Sequence, residues 1–186
     1  MADTNNVNNV SGTKGVKGGY IFAAPSGTAL PKDIVTARDA AFKCLGFISE
    51  DGYAETLDTD TEDMSDMNGD LMDSAQTSRV ESAQFTLAEI KADTLKFMYG
   101  TDNVTVSDGL ITVKHNGNND DEWALILELV LKNGRRWRKV VPAVKLSELD
   151  DLTLAVGELA AHGATVKYLT DEDGNTCYDY YEDTEN

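Results

Sequence analysis

The acidic residues between Glu50 and Ser74 are the chain's densest group of potentially reactive side chains. The stretch EDGYAETLDTDTEDMSDMNGDLMDS holds ten carboxylates and no Lys or Arg. Such a cluster could bind a cation, supply the paired acids of a hydrolase, or form a surface that repels or engages a large partner. The ten acids are Glu50, Asp51, Glu55, Asp58, Asp60, Glu62, Asp63, Asp66, Asp70 and Asp73.

Calcium binding and catalysis both fit this stretch poorly. An EF-hand beginning at Asp58 would need Gly at its sixth position and Glu at its twelfth, where the chain has Asp63 and Gly69. A glycosidase needs one acid whose pKa is raised by burial, and these acids lie in polar runs. His115 and His162 have no suggestive Ser or Cys neighbour, and no phosphate-binding glycine motif occurs. We therefore expect no enzyme, no metal and no cofactor.

The excess charge is confined to two segments. The net charge is −17, and residues 170–186 add seven acids with no basic residue, so that the rest of the chain has sixteen acids and sixteen basic residues. This charge argues against binding to DNA or to an anionic membrane. The two cysteines, Cys44 and Cys177, lack metal-site spacing, and no signal peptide or membrane span is expected.

A basic run, KNGRRWRK, is the natural counterpart of the acids. It could be a strand with salt bridges of its own, or it could receive carboxylates from another copy of the chain. The candidate partner strip is Lys132, Arg135, Arg136, Arg138 and Lys139. Apolar residues on the second face of the neighbouring strand could be ordinary core or could meet another subunit; the interface candidates are Ile126, Val130 and Trp137.

The elements that would position these residues are mostly strands. Asp108-Gly109 predicts a hairpin that pairs Val106 with Ile111 and Val104 with Val113. Asn133-Gly134 predicts a hairpin that pairs Glu128 with Lys139 and Val130 with Trp137. Asp173-Gly174 predicts a third, pairing Leu169 with Tyr178 and Lys167 with Tyr180. Short strands are also expected at 19–24 and 43–49, and Pro142 should disturb the pairing beyond Val141.

Helical signals are few. One helix is expected near residues 91–99, with Ile90, Thr94, Phe97 and Met98 on one side and Gly100 as its stop. Residues 36–42 could form a helical turn. The fold predicted is a mostly β sandwich or barrel with one packed helix, at 18–170, between a flexible arm at 1–17 and an acidic hairpin or arm at 171–186. Residues 50–74 are read as a long acidic loop.

The order of these parts resembles the major tail tube protein of long, non-contractile-tailed phages. The resemblance rests on KGGYIFAAPSGTALP, AAFKCLGFISEDG, FTLAEIKADTLKFMYGTDNVTV, the Asn-Gly hairpin with WRKVVP, and TDEDGNTCYDYY, and covers about residues 17–181. It implies a β-sandwich with one helix, related to type VI secretion tube proteins. It also implies hexameric rings, stacked into the tube of a siphophage virion made in the host bacterial cytoplasm.

Further expectations follow from the resemblance. The partners would be other copies of the chain, the tape measure, the terminator and the baseplate or initiator complex, with DNA only in transit and no membrane. The loop at 50–74 would pack on the adjacent ring, and its carboxylates would keep DNA from adhering during ejection. The alternatives are a tail terminator or hub-proximal ring of the same fold, and a carbohydrate- or calcium-binding adhesion module.

Overall fold

The computed structural model describes residues 5–183, which form eleven strands and one α-helix. The helix, α1, spans Ala92–Tyr99. The strands are β1 (Lys14–Gly15), β2 (Ile21–Pro25), β3 (Lys43–Cys44), β4 (Ile48–Ser65), β5 (Leu71–Leu87), β6 (Val104–Ser107), β7 (Leu110–Val113), β8 (Glu122–Val130), β9 (Arg136–Leu149), β10 (His162–Leu169) and β11 (Tyr178–Tyr181). The predicted mostly β fold with one packed helix is confirmed.

One antiparallel sheet contains all strands except β6 and β7. Its order is β3-β2-β8-β9-β10-β5-β4, with β1 paired to β8 and β11 paired to β9. The sheet curls until its two edge regions meet, because the Tyr20 hydroxyl, next to β2, lies 2.5 Å from the backbone N of Ile48 in β4. The curl gives the sheet an inner and an outer face.

Strand β8 is apolar on both sides because each face of the sheet has its own core. On the inner face Trp123, Leu125 and Leu127 belong to a cluster that includes residues of β5, β9, β10 and α1. On the outer face Ala124 and Ile126 pack with aromatic side chains from β2 and from the connection that follows it. Alternation along one strand thus supplies two separate cores.

Helix α1 packs on the inner face, where Phe97 lies 5.7 Å from the Trp123 ring. Thr94, Phe97 and Met98 are buried as predicted, and the Thr94 hydroxyl donates to the Leu45 carbonyl at 2.8 Å. Gly100 ends the helix with a φ of 93°, a conformation that favours glycine. The prediction was wrong for Ile90, which precedes the helix and is 62% exposed.

The β6–β7 hairpin has the predicted register. Val104 faces Val113 and Val106 faces Ile111. Asp108 and Gly109 both have positive φ, at 51° and 79°, as a tight two-residue turn requires.

The β8–β9 hairpin differs from its prediction by one residue. Glu128 faces Arg138, and Val130 faces Arg136. The Leu131 amide donates to the Arg135 carbonyl, so three residues close the loop where two were expected. Asn133 also has a positive φ of 64°, which allows this longer turn. The pairing does shift near Pro142, since Trp123 faces Val144 whereas Leu125 faces Val141.

The third predicted hairpin is wrong, because β10 and β11 do not pair with each other. Both lie antiparallel along the same edge of β9, with Leu169 opposite Ala143 and Tyr178 opposite Val140. Residues 170–177 form an excursion between two parts of one interrupted strand path. The Asp173-Gly174 turn therefore lies inside an insertion.

Near the N-terminus the chain is partly tied to the sheet. Residues 14–15 pair with β8, and residues 1–4 of the predicted arm lie outside the described residues. The predicted strand at 19–24 is found as β2, whereas the one at 43–49 is split between β3 and the start of β4. No helix forms at 36–42, where this connection crosses the outer face.

Candidate functional site

The acidic segment expected to be a loop is a long antiparallel hairpin. Strands β4 and β5 pair from Tyr53 opposite Phe85 to Ser65 opposite Leu71. The turn at 66–70 is held by Asp66, whose carboxylate accepts hydrogen bonds from the backbone amides of Asn68 and Asp70 at 2.8 and 2.9 Å. The Asp70 bond, followed by the Asn68 bond, lowers the pKa of Asp66.

Two sequence signals for this hairpin were missed. Thr59 and Thr61 alternate with acids at period two, and Asn68-Gly69 is a frequent turn dipeptide. Neither strand has the apolar alternation that marks a half-buried strand, because the outer part of the hairpin has no core beneath it. From 57 to 80 every residue except Asp66 and Ser78 is exposed.

The hairpin separates its charges between two faces. Asp58, Asp60 and Glu62 alternate onto one face of β4, and Asp73 lies opposite Met64 on that same face. No Lys or Arg occupies this acidic face. The other face is mixed, since Arg79 lies opposite Thr59 and bonds Glu81.

The remaining acids of the group lie elsewhere. Asp63 accepts from the Ser74 hydroxyl at 2.6 Å on the mixed face, and Asp70 lies in the turn with Asp66. Glu50 and Asp51 lie where β4 begins, near a shift of its register with β5. Four of the ten candidates therefore share one face.

Glu55 belongs to a partly buried network instead of the open hairpin. Its carboxylate contacts the Lys139 ammonium at 3.0 Å and accepts from the Tyr168 hydroxyl at 2.6 Å. Tyr168 in turn lies 2.7 Å from the hydroxyl of Tyr53. The network joins β4, β9 and β10 on the inner side of the sheet.

Lys139 is the centre of this network, with its side chain 7% exposed. Asp179 accepts from its ammonium at 3.0 Å, and the Cys177 thiol lies 3.5 Å away. Burial alone would lower the pKa of Lys139, but the bonds to Asp179 and Glu55 raise it above its ordinary value. Burial raises the pKa of Cys177 to about 11, against the opposing effect of Lys139.

Arg138 is also used within the chain, on the outer face of the sheet. Its guanidinium donates to the Glu128 carboxylate at 2.8 and 3.1 Å, and to the carbonyls of Asp33 and Thr36 at 2.7 Å each. These bonds hold the 26–42 connection against β8 and β9. Arg138 and Lys139, 6% and 5% exposed, are thus structural side chains and not part of a free basic strip.

The other three cations of the basic run face outward. Lys132 lies in the turn, Arg135 follows it half-buried, and Arg136 is exposed at the start of β9. Arg136 forms an ion pair with Glu182 at 3.6 Å, between groups that are each more than 40% exposed. A contact with another copy can therefore use only this part of the run.

The three interface candidates have different surroundings. Ile126 is fully buried by its own chain in the outer core. Trp137 is half-buried, stacks on Tyr181 at 5.0 Å, and donates its indole N–H to Asp179 at 2.6 Å. Val130 is half-buried at the end of β8, where Arg136 lies opposite it.

The C-terminal acids are divided among turns and pairs. Asp171 accepts from the amides of Asp173 and Asn175 and from the Tyr178 hydroxyl, and the Tyr178 bond is the main reason that its pKa is lowered. Asp179 joins the Lys139 network, whereas Glu185 lies outside the described residues. Only part of this charge is therefore free to face a partner.

Two exposed apolar groups were missed by the sequence analysis. The hairpin tip presents Met64, Met67, Leu71 and Met72, each at least 49% exposed. The connection between β9 and β10 presents Leu152, Leu154, Val156 and Leu159, each at least 41% exposed. The alternation of Leu152, Leu154 and Val156 was available as a signal. Both groups are candidate contact surfaces.

Neither a metal site nor a membrane-spanning helix occurs in residues 5–183. No three His, Cys, Asp or Glu side chains in this range are grouped closely enough to hold a metal ion. Across the same residues, no helix has the length and hydropathy needed to cross a bilayer.

Comparison with known proteins points to one family. Curated proteins give no match. Among solved structures, the cap of the anti-feeding prophage is 9% identical, with 98% of each chain covered and a TM-score of 0.47. The sheath-tube complex of the PVC extracellular contractile injection system is 8% identical, covering 88% of this chain and 89% of that one, with a TM-score of 0.42. Both TM-scores are below 0.5 and both identities are below 10%, so these structures show only a remote similarity.

The family assignment rests on the sequence match alone. The model of the family described as phage tail tube protein matches residues 4–186, which is nearly the whole chain. The chain belongs to the phage tail tube protein family, and is a structural component of the virion, not an enzyme.

Proposed function

We propose that copies of this chain assemble into hexameric rings, which stack into the hollow tail tube of a siphophage through which DNA leaves the virion. Family membership supports the tube. The ring symmetry and the passage of DNA are our inference from the resemblance and from the distribution of charge. Tape measure, terminator and initiator proteins would be its partners in the tail.

The observation that carries the proposal is the β4–β5 hairpin. From Asp58 onward β4 continues for eight residues without a core, a length of roughly 25 Å at the usual rise per residue, and β5 runs beside it from Leu71 to Val80. A two-stranded hairpin is at best marginally stable by itself in water. An element of this size, tipped with four exposed apolar side chains, is therefore suited to packing against another copy.

The acidic character of the chain suits a conduit for DNA. A polyanion is retained by Lys and Arg that replace its counterions, and carboxylates offer it no such contact. Each exposed acid, including those of the acidic face, would occur once per subunit around a ring. We propose that part of this surplus faces the bore.

The remaining acids would contact a neighbouring copy. The cations available for them are Lys132 and Arg135, since Arg136 is paired with Glu182, and Arg138 and Lys139 are also paired within the chain. Pairs of this kind select orientation and partner more than they add affinity. We propose them as the partners of the hairpin acids.

Electron microscopy of the concentrated, purified protein tests the proposal. We expect uniform hollow tubes, with six subunits per ring in averaged cross-sections. Isolated subunits at all concentrations, or solid fibres without a bore, would contradict it.

A further inference from the structure

We propose that residues 150–158 of one copy dock into a cationic groove at the opposite end of the next copy, an inference that rests on self-assembly as proposed above. The segment reads DDLTLAVGE and connects β9 to β10. Leu154 and Val156 are 75% and 106% exposed. Their alternation with Leu152 is typical of a strand, yet the segment belongs to no strand here.

The segment makes few bonds of its own within the described residues. The Asp150 amide donates to the Gly163 carbonyl, and the Glu158 amide donates to the Ala155 carbonyl. Between them the amides of 151–157 donate to no other described residue. A segment outside any strand, with amides that are unpaired within the described residues and with exposed apolar side chains, is suited to contact with another chain.

The groove lies where the connection after β2 crosses the outer face. Lys17, Arg38 and Arg136 line it, Ile34 and Val35 are among its apolar residues, and its volume is about 640 Å³. Val35 is 71% exposed. Glu128 also lines it, but Arg138 already binds that carboxylate at 2.8 Å. The lining has four cations, Lys17, Arg38, Arg136 and Arg138, against the two carboxylates of Asp39 and Glu128, so it keeps a positive excess although Arg136 also pairs with Glu182.

Segment and groove are complementary in chemistry. Asp150, Asp151 and Glu158 bring negative charge to a positive groove, and the exposed Leu154 and Val156 bring apolar surface to Ile34 and Val35. The same segment cannot reach its own groove. Arg136 and Leu149 are the two ends of β9, which has fourteen residues and is therefore roughly 45 Å long.

Because the segment and the groove lie at opposite ends of β9, the contact between two copies is head-to-tail. Such a contact repeats from copy to copy and builds rings or tubes instead of closed pairs. The acidic hairpin is less suited to this role. Strand β5 is antiparallel to β10, which is antiparallel to β9, so β5 runs in the same direction as β9. The tip that precedes Leu71 thus lies at the groove's own end.

Disulfide trapping between copies tests the inference. In a background with Cys44→Ser and Cys177→Ser, Val35→Cys and Val156→Cys place one thiol in the groove and one on the segment. Under mild oxidation we expect a ladder of covalent multimers. The control replaces Val35→Cys by Val106→Cys, on the exposed end of the β6–β7 hairpin, and should give no ladder.

A second variant tests whether the segment is needed for tube formation. Leu154→Asp with Val156→Asp should leave the circular dichroism spectrum unchanged, since both side chains are exposed, and should reduce tube formation at least tenfold. Tubes of the double variant at normal yield, or equal ladders from both cysteine pairs, would overturn the inference. If the unmodified chain forms no tubes, the proposed function fails, and the 35–156 ladder in concentrated solution still decides the contact by its presence or absence.

Discussion

At the residue scale, two adjacent cations in β9 form bonds on opposite faces of the sheet. Arg138 holds the 26–42 connection on the outer face, and Lys139 gathers Glu55 and Asp179 on the inner face. Arg136, two residues earlier, is exposed. Alternation along a strand is enough to place Arg138 and Lys139 on opposite faces, but it could not show which cations are paired within the chain. Their carboxylate partners lie 10, 40 and 84 residues away.

The contrast between Arg138 and Arg136 is testable. Arg138→Gln should lower the free energy of unfolding by roughly 3–5 kcal/mol, because it removes the closer of the two cations paired with Glu128, leaving Arg38 at 3.8 Å, and frees the carbonyls of Asp33 and Thr36. Arg136→Gln is the matched control and should cost about 0–1 kcal/mol, as expected for an exposed pair. Urea denaturation of the unassembled protein measures both. Equal losses would show that burial of Arg138 does not govern its contribution.

His162 predicts a component of the pH dependence. It is 8% exposed beside the ring of Tyr99, and burial lowers its pKa from the ordinary value of 6.5. The folded chain therefore takes up this proton at lower pH than the unfolded chain does. The stability it contributes is fully present above pH 6.5 and is lost as pH falls through that value toward the folded pKa.

His162→Gln isolates this effect from the many carboxylates that also titrate in acid. We expect the free energy of unfolding of the variant to fall less between about pH 7.5 and pH 5.5 than that of the unmodified chain. Parallel pH profiles for the two proteins would mean that His162 takes up protons equally in both states.

At the element scale, the sequence predicted those parts whose signals are local. The end of α1 follows from Gly100. The β6–β7 register follows from the Asp108-Gly109 turn. The β8–β9 register was missed by one because Asn133-Gly134 can close a loop of two or three residues. The path of β11 was missed because its partner, β9, is chosen by long-range packing. The β4–β5 hairpin was missed because no core imposes alternation on it.

The outer hairpin should be ordered by assembly. Amides of residues 58–78 are expected to exchange hydrogen quickly in the free subunit, since only the marginal two-stranded ladder protects them. Amides of β8, paired on both edges and buried, are the internal reference and should exchange slowly in both states. In assembled tubes we expect slower exchange in 58–78 by at least tenfold. Equal exchange rates of these amides in free subunits and in tubes would mean that the outer hairpin makes no contact between copies.

At the scale of the whole molecule, the net charge acts on assembly more than on the fold. The acids of the hairpin and of the C-terminal segment account for the surplus, whereas the rest is balanced. Stacking would bring the excess negative charges of different copies close together. Repulsion between them should therefore oppose stacking until a template supplies compensating contacts. We infer that this keeps free subunits apart.

Salt should therefore favour assembly of the purified protein. Raising the salt concentration from about 0.05 M to 1 M shortens the Debye length several-fold, which weakens repulsion between exposed carboxylates. Sedimentation velocity is expected to show a shift from subunits to large particles. A sucrose series at matched viscosity serves as the control. Assembly that declines with salt would mean that attraction between unlike charges dominates.

The most direct test of the central claim is a cryo-electron microscopy map of the assembled tail that resolves side chains along the bore. The account predicts this chain in stacked rings of six, with carboxylates, and few Lys or Arg, facing the channel. A bore lined with cations, or a map in which this chain lies outside the tube, would contradict it.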